Sequence, residues 1–134
     1  WRRRQFWGRR RRRELVTQNL EPNPMPRLDV LLGFLNEDPT DPFTLFAVAS
    51  EFRKLGDTDQ ALAYFNRLID GHPTYVGAYY HLGKLLESVS QKEDAIAMYT
   101  RGIRVAEEQR DVHARAELHD ALLRARGVGF DDEP

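Results

Sequence analysis

Residues 42–109 are one pattern written twice, 34 residues apart. Leu45 pairs with Tyr79, Val48 with Leu82, Ala49 with Gly83 and Phe52 with Leu86. Further on, Ala61 pairs with Ala95, Leu62 with Ile96, Phe65 with Tyr99 and Ile69 with Ile103. Only four of the 34 pairs are identical, yet size and polarity match wherever burial demands it. A fixed period of this length is the mark of a stacked-repeat protein. Each unit is one supersecondary element that cannot bury its own apolar face, so neighbours must stack to build a core.

The spacing within the period is helical. Leu28, Leu31, Leu32 and Leu35 fall at i, i+3, i+4, i+7 and predict a helix over about 27–36, stopped before Pro39. Asp41 as N-cap with Pro42 at the first helical position opens the next, buried through Leu45, Val48, Ala49 and Phe52. It should end near Leu55, with Gly56 in the left-handed turn. Asp57 with Gln60 caps a third helix, whose stripe is Ala61, Leu62, Phe65, Leu68 and Ile69, and Gly71-His72-Pro73 stops it. The cycle then repeats. Thr74 is the expected cap of a helix buried through Tyr79, Leu82, Gly83 and Leu86. Ser90-Gln91-Lys92-Glu93 reads as a capping box for the next, with Ala95, Ile96, Tyr99 and Ile103 inward. That helix lacks a Gly-x-Pro stop and should run to about Gln109. Asp111 caps a last helix with Leu118, Ala121, Leu122 and Ala125 as its stripe, and Gly127 ends it. The fold class is all-α: antiparallel helix hairpins, about five helices in the unit.

In this register the chain resembles the tetratricopeptide repeat family. The first repeat offers Leu45, Val48, Ala49, Phe52, Gly56, Ala61, Phe65, Leu68 and Pro73 at the family's motif offsets. The second offers Tyr79, Leu82, Gly83, Leu86, Ser90, Ala95, Tyr99, Gly102 and Glu107. Leu68, Ser90 and Glu107 depart from the pattern, which has a small residue, a Gly and a Pro there. The resemblance implies a small two-repeat protein stacked as a short right-handed superhelix. Residues 27–39 would be a half-repeat helix, 42–75 the first repeat, 76–109 the second and 111–126 a capping helix.

It also implies a non-catalytic interaction module that binds a peptide segment in a concave groove lined by the first helix of each pair. By register the groove positions are Phe43, Phe46, Ala47, Ser50, Arg53 and Lys54, then Tyr80, His81, Lys84 and Glu87, then Ala114, Arg115 and Leu118. Aromatic side chains beside Lys and Arg suit a peptide-binding surface. The alternative is that Phe43 and Phe46 pack on the 27–36 helix and leave no groove. One subset of the family clamps a C-terminal carboxylate of chaperones with Lys and Asn. Here Phe46, Ser50, Tyr80 and Lys84 stand at those offsets, so the clamp is not met. A looser site for an acidic peptide through Arg53, Lys84 and Arg115 stays open.

Charge narrows the partners. The net charge of −1 hides eight Arg and no acid in residues 1–13. The other residues are strongly acidic, which makes the repeat region a poor candidate for a nucleic-acid surface. The Arg-rich stretch with Trp1, Phe6 and Trp7 could bind phosphate backbone or an anionic membrane surface. Against that, the first Met is Met25, and residues 1–26 read as an extension or linker outside the fold, expected to be disordered. Arg3-Arg4-Gln5-Phe6 resembles the start of a twin-arginine signal, but five arginines follow where an apolar stretch is required. Residues 127–134 form an acidic tail, also expected to be disordered.

Catalytic chemistry finds no residues. There is no Cys, which removes thiolate and disulfide chemistry and fits a reducing, cytoplasmic compartment. His72, His81, His113 and His119 do not pair at ligand spacing, and no nucleophile–His pairing stands out. Gly56, Gly83 and Gly102 are isolated, so no phosphate-cradling loop exists. Neither a metal nor a cofactor is expected. No apolar run approaches the roughly 18 residues that a membrane span needs. The expected partner is a protein or peptide, and a second copy of the chain is the other candidate, since a two-repeat array has open ends.

Overall fold

A computed structural model describes residues 26–127. The expectations for the Arg-rich stretch and the acidic tail fall outside the described residues, except that Pro26, expected in the linker, opens the first helix and that Gly127 is described. Within them lie six helices: α1 (Pro26–Glu37), α2 (Pro42–Lys54), α3 (Thr58–Gly71), α4 (Val76–Ser88), α5 (Lys92–Gln109) and α6 (Val112–Ala125). The six are close to the about five expected, and each segment whose spacing predicted a helix forms one. Two hairpins, α2–α3 and α4–α5, make up the repeats. α3 packs on α4, α1 on α2, and α6 on both α5 and α4.

The hairpin turns share one geometry. Gly56 takes φ +81°, and Asp57 N–H donates to the Phe52 carbonyl at 3.0 Å. One period later Ser90 takes φ +63°, and Gln91 N–H donates to the Leu86 carbonyl at 2.9 Å. Arg110 closes α5 the same way, at φ +56°, with Asp111 N–H on the Ala106 carbonyl at 2.9 Å. Each is a left-handed residue followed by a bond spanning five residues, which satisfies a carbonyl orphaned at the helix end. The capping box expected at Ser90 is therefore not formed. Ser90 is used as the left-handed turn residue, and Gln91 becomes the N-cap without a side-chain bond. The expected Thr74 cap is also replaced. Tyr75 is the N-cap of α4 and makes no side-chain cap bond. The Asp caps do form: Asp41 accepts from Thr44 N–H at 3.1 Å, Asp57 from Gln60 N–H at 3.2 Å and Asp111 from Ala114 N–H at 3.0 Å.

Side chains pin the turns between repeats. Arg67 Nη2 donates to the Pro39 carbonyl at 2.6 Å, and His72 Nε2 lies 2.6 Å from the Thr40 carbonyl. In the next turn the Tyr79 hydroxyl donates to the Pro73 carbonyl at 2.6 Å and Gln109 Nε2 to the Thr74 carbonyl at 2.5 Å. Tyr79, Tyr99 and Phe65 are the largest fully buried side chains. The buried small residues Ala49, Ala61, Gly83 and Ala95 sit where close approach of helices requires them. The Tyr99 ring lies on the backbone of Gly83, and its hydroxyl donates to the Glu87 carboxylate. Burial, then that bond, holds the Tyr99 phenol protonated well above its ordinary range. A methyl group at Gly102 would stand 2.6 Å from Tyr79 Cβ and 3.1 Å from Leu118 Cδ1. Phe52, expected in the buried stripe, is half-buried and stacks on Tyr64 with centroids 5.5 Å apart.

Candidate peptide-binding groove

The face shared by α2 and α4 is built around aromatic rings. Phe46 meets Phe65 edge-on at 6.0 Å, Tyr75 at 5.5 Å and His81 at 5.2 Å. Phe43 meets Tyr75 edge-on at 6.1 Å and is 72% exposed. His81 lies parallel to Phe65 at 6.3 Å and edge-on to Tyr80 at 5.5 Å, and Tyr80 leads on to Tyr99 at 6.5 Å. Such edge-to-face contacts add to the burial of each ring and hold it in one orientation. All three aromatic partners of Phe46 belong to α3, to α4 or to the N-cap of α4. Phe43 and Phe46 thus turn toward the second repeat, not toward α1. Between them and the second repeat opens a hollow of about 390 Å³, lined by Phe43, Phe46, Thr74, Tyr75, Val76 and Gly77.

The polar groove residues fall into three groups. Arg53, Lys84 and Arg115 are exposed and make no ion pair among the described residues, and the Lys84 ammonium stands 5.9 Å from the Tyr80 ring centroid. Lys54 and Glu87 have partners within the fold: Lys54 is 3.8 Å from Glu51, and Glu87 holds the Tyr99 hydroxyl. Ser50 and Ala47 are half-buried between these. His81 sits at the floor, where burial and then the Arg53 charge push its pKa below the ordinary 6.5, with Glu117 partly opposing. Burial likewise raises the Tyr75 phenol, with the Asp41 charge adding to it.

Residues on the last helix need correcting. Leu118, expected both in the buried stripe and in the groove, is buried against Gly102 and belongs to the stripe, and Ala114 is half-buried. The cause is the length of α5, which has 18 residues against 14 in α3. The extra turn shifts α6, so the 34-residue register no longer maps onto it. Spacing also missed Tyr75 and Glu117. Tyr75 sits in the turn after Pro73, a place that reads as linker. Glu117, on α6, bears on His81 through its charge. Among the described residues no three His, Asp or Glu side chains converge as a metal site would require.

Two family models describing the tetratricopeptide repeat match, at residues 46–75 and 76–109. A tetratricopeptide repeat domain protein from Salinibacter ruber, solved in solution, is 48% identical. The match covers 67% of this chain and 91% of that one, with a TM-score of 0.64. The chain belongs to the tetratricopeptide repeat family. A crystal structure of the Salinibacter ruber domain agrees, at 47% identity and TM-score 0.63, covering 65% of this chain and 98% of that one. The TPR2B domain of yeast Sti1, solved as a complex with pHsp70, shares the fold at TM-score 0.70 and 18% identity, over 75% of this chain and 80% of that one. No curated protein matches the chain. A tetratricopeptide array is in general a non-catalytic protein-interaction fold, and membership of the family supports a protein-interaction module here. No helix among the described residues is long and apolar enough to cross a membrane.

Proposed function

We propose that this tetratricopeptide protein is a non-catalytic scaffold of the cytoplasm that binds a segment of another protein along the α2–α4 face. An apolar or aromatic side chain of that segment fills the hollow between Phe43, Phe46, Tyr75 and Val76. The observation that carries the reading is Phe43: a large aromatic, mostly exposed, at the rim of a hollow whose other walls are apolar. Singly exposed apolar residues are ordinary, but one that rims an apolar hollow, on a face that carries Arg53 and Lys84 farther along α2 and α4, matches the anatomy of a recognition surface. Arg53, Lys84 and Arg115 favour acidic residues flanking the anchor. The rings of the floor are held by one another, so little ordering cost falls on binding. An array of two repeats buries a small area, and affinity is expected on the order of micromolar.

Affinity capture tests this with three baits: the protein, its Phe43→Ser/Phe46→Ser variant and its Arg53→Glu/Lys84→Glu variant. A partner held by the first and lost from the second is expected, with the third weakened. A partner retained equally by all three places recognition elsewhere on the molecule.

A further inference from the structure

The other unpartnered apolar surface is at the far end of the array. α1 stands where a repeat would have its second helix, but among the described residues no first helix precedes it. Its inner face is closed by Leu28 and Leu35 against α2. Its outer face exposes Val30 at 56% and Phe34 at 54%. Arg27, Val30, Phe34 and Glu37 follow a 3-4-3 spacing, which sets them in one stripe along the helix. Gly33 lies in the same stripe with no atom within 4 Å of where its Cβ would be, so another backbone can approach there. The sequence one period upstream of α2 does not continue the apolar register. It places Arg11, Glu14, Leu15 and Gln18 where Leu45, Val48, Ala49 and Phe52 stand in the first repeat.

We infer that the outer face of α1 pairs with the same face of a second copy of this chain. The stripe is self-complementary. If two copies of α1 lie antiparallel about a two-fold axis at the level of Leu32, Val30 packs against the partner's Phe34 and Phe34 against the partner's Val30. The same operation sets Arg27 opposite the partner's Glu37 and Glu37 opposite the partner's Arg27. A parallel pair would instead bring like charges together at both ends of the stripe. Arg27 Nε is now 3.4 Å from Glu51, but Lys54 also lies 3.8 Å from that carboxylate, so Glu51 keeps a cation when Arg27 turns outward. A helix of 12 residues is about 18 Å long. Its pairing therefore falls at the small end of specific interfaces, and the dimer is expected to be weak and reversible, on the order of 10–100 µM. The α2–α4 groove takes no part in the pairing, so each copy in the dimer presents its own.

Sedimentation equilibrium of the full 134-residue chain at about 0.15 M salt, from low micromolar to about millimolar protein, tests the inference. A reversible monomer–dimer equilibrium is expected. Phe34→Glu should weaken it by about tenfold or more. Arg27→Glu and Glu37→Arg should each weaken it by about threefold, and an equimolar mixture of those two variants should recover association, since each repels itself and attracts the other. Circular dichroism of every variant shows whether its helices are intact. A chain that stays monomeric throughout overturns the inference. So does a dimer that Phe34→Glu leaves unmoved, or a mixture that associates no better than its components. A monomer whose melting temperature Phe34→Glu lowers would show that another segment of the same chain covers the face, and would overturn it as well.

Discussion

The two repeats fill the same positions with different volumes. In the second, Tyr79 is matched to Gly102 and Tyr99 to Gly83, so the Tyr99 ring and the base of the Tyr79 side chain lie directly on glycine backbone. In the first, the equivalent positions hold Leu45 with Leu68 and Phe65 with Ala49. The second repeat sets a large residue against a glycine in both pairs, whereas the first sets two leucines against each other in one pair and a phenylalanine against an alanine in the other. Repeated architecture thus constrains the summed volume at each contact rather than the residue. The second repeat is the less forgiving of the two, since a glycine under a ring leaves no smaller choice. Their ends differ too. α3 stops at Gly71 and the chain turns through Tyr75, opening the apolar hollow, whereas α5 runs a further turn and is joined to α6 by two residues. The hollow belongs to the junction where the repeat ends on time.

The largest effect expected is at Phe65, fully buried in the first repeat. Phe65→Ala should cost about 3–5 kcal/mol in a denaturant melt, and a variant that melts with the wild type would break the assigned register. Next come the glycines. Gly83→Ala and Gly102→Ala should each cost about 1–3 kcal/mol through overpacking. The first repeat should resist the analogous step less, so Ala49→Ser is expected to cost less than Gly83→Ala in the same melt. Equal costs would remove the volume argument.

Most of this fold was legible in the residues. The period, the burial stripes and the Asp caps at 41, 57 and 111 depend on local spacing, which the sequence prints directly. Ser90 and Thr74 were misread because a Ser or Thr before a helix serves equally well as cap or as turn residue. Only the tertiary demand on the turn decides between them. The aromatic face proposed as the groove was legible as far as the period held. Phe43, Phe46, Tyr80, His81 and Lys84 share the face that the register gave them. Tyr75 and Glu117 escaped because helix length and junction geometry, not spacing, bring them there.

Smaller predictions sharpen the comparison of the repeats. Tyr99→Phe removes the hydrogen bond to Glu87 and should cost about 1–2 kcal/mol, less than either glycine substitution. Ser90→Gly should stabilise by about 0.5–1 kcal/mol, because a left-handed residue with a side chain is strained, and Gly56→Ser should cost a similar amount. The smallest is a pH effect at His81. Its folded pKa is below the unfolded 6.5, so the unfolded chain binds more protons between the two values. The contribution of neutral His81 is full above about pH 6.5 and is lost as pH falls through the folded pKa. Melting temperatures of His81→Gln should be flatter across that window than those of the wild type.

The central claim is that recognition takes place on the aromatic face between α2 and α4. Peptides selected from a random displayed library against the full chain, then titrated while amide shifts are followed, test it most directly. The largest shifts are expected at Phe43, Phe46, Tyr75, Val76, Tyr80 and His81. Shifts confined to α1, α3 or the outer side of α6, with these six residues unmoved, would contradict it.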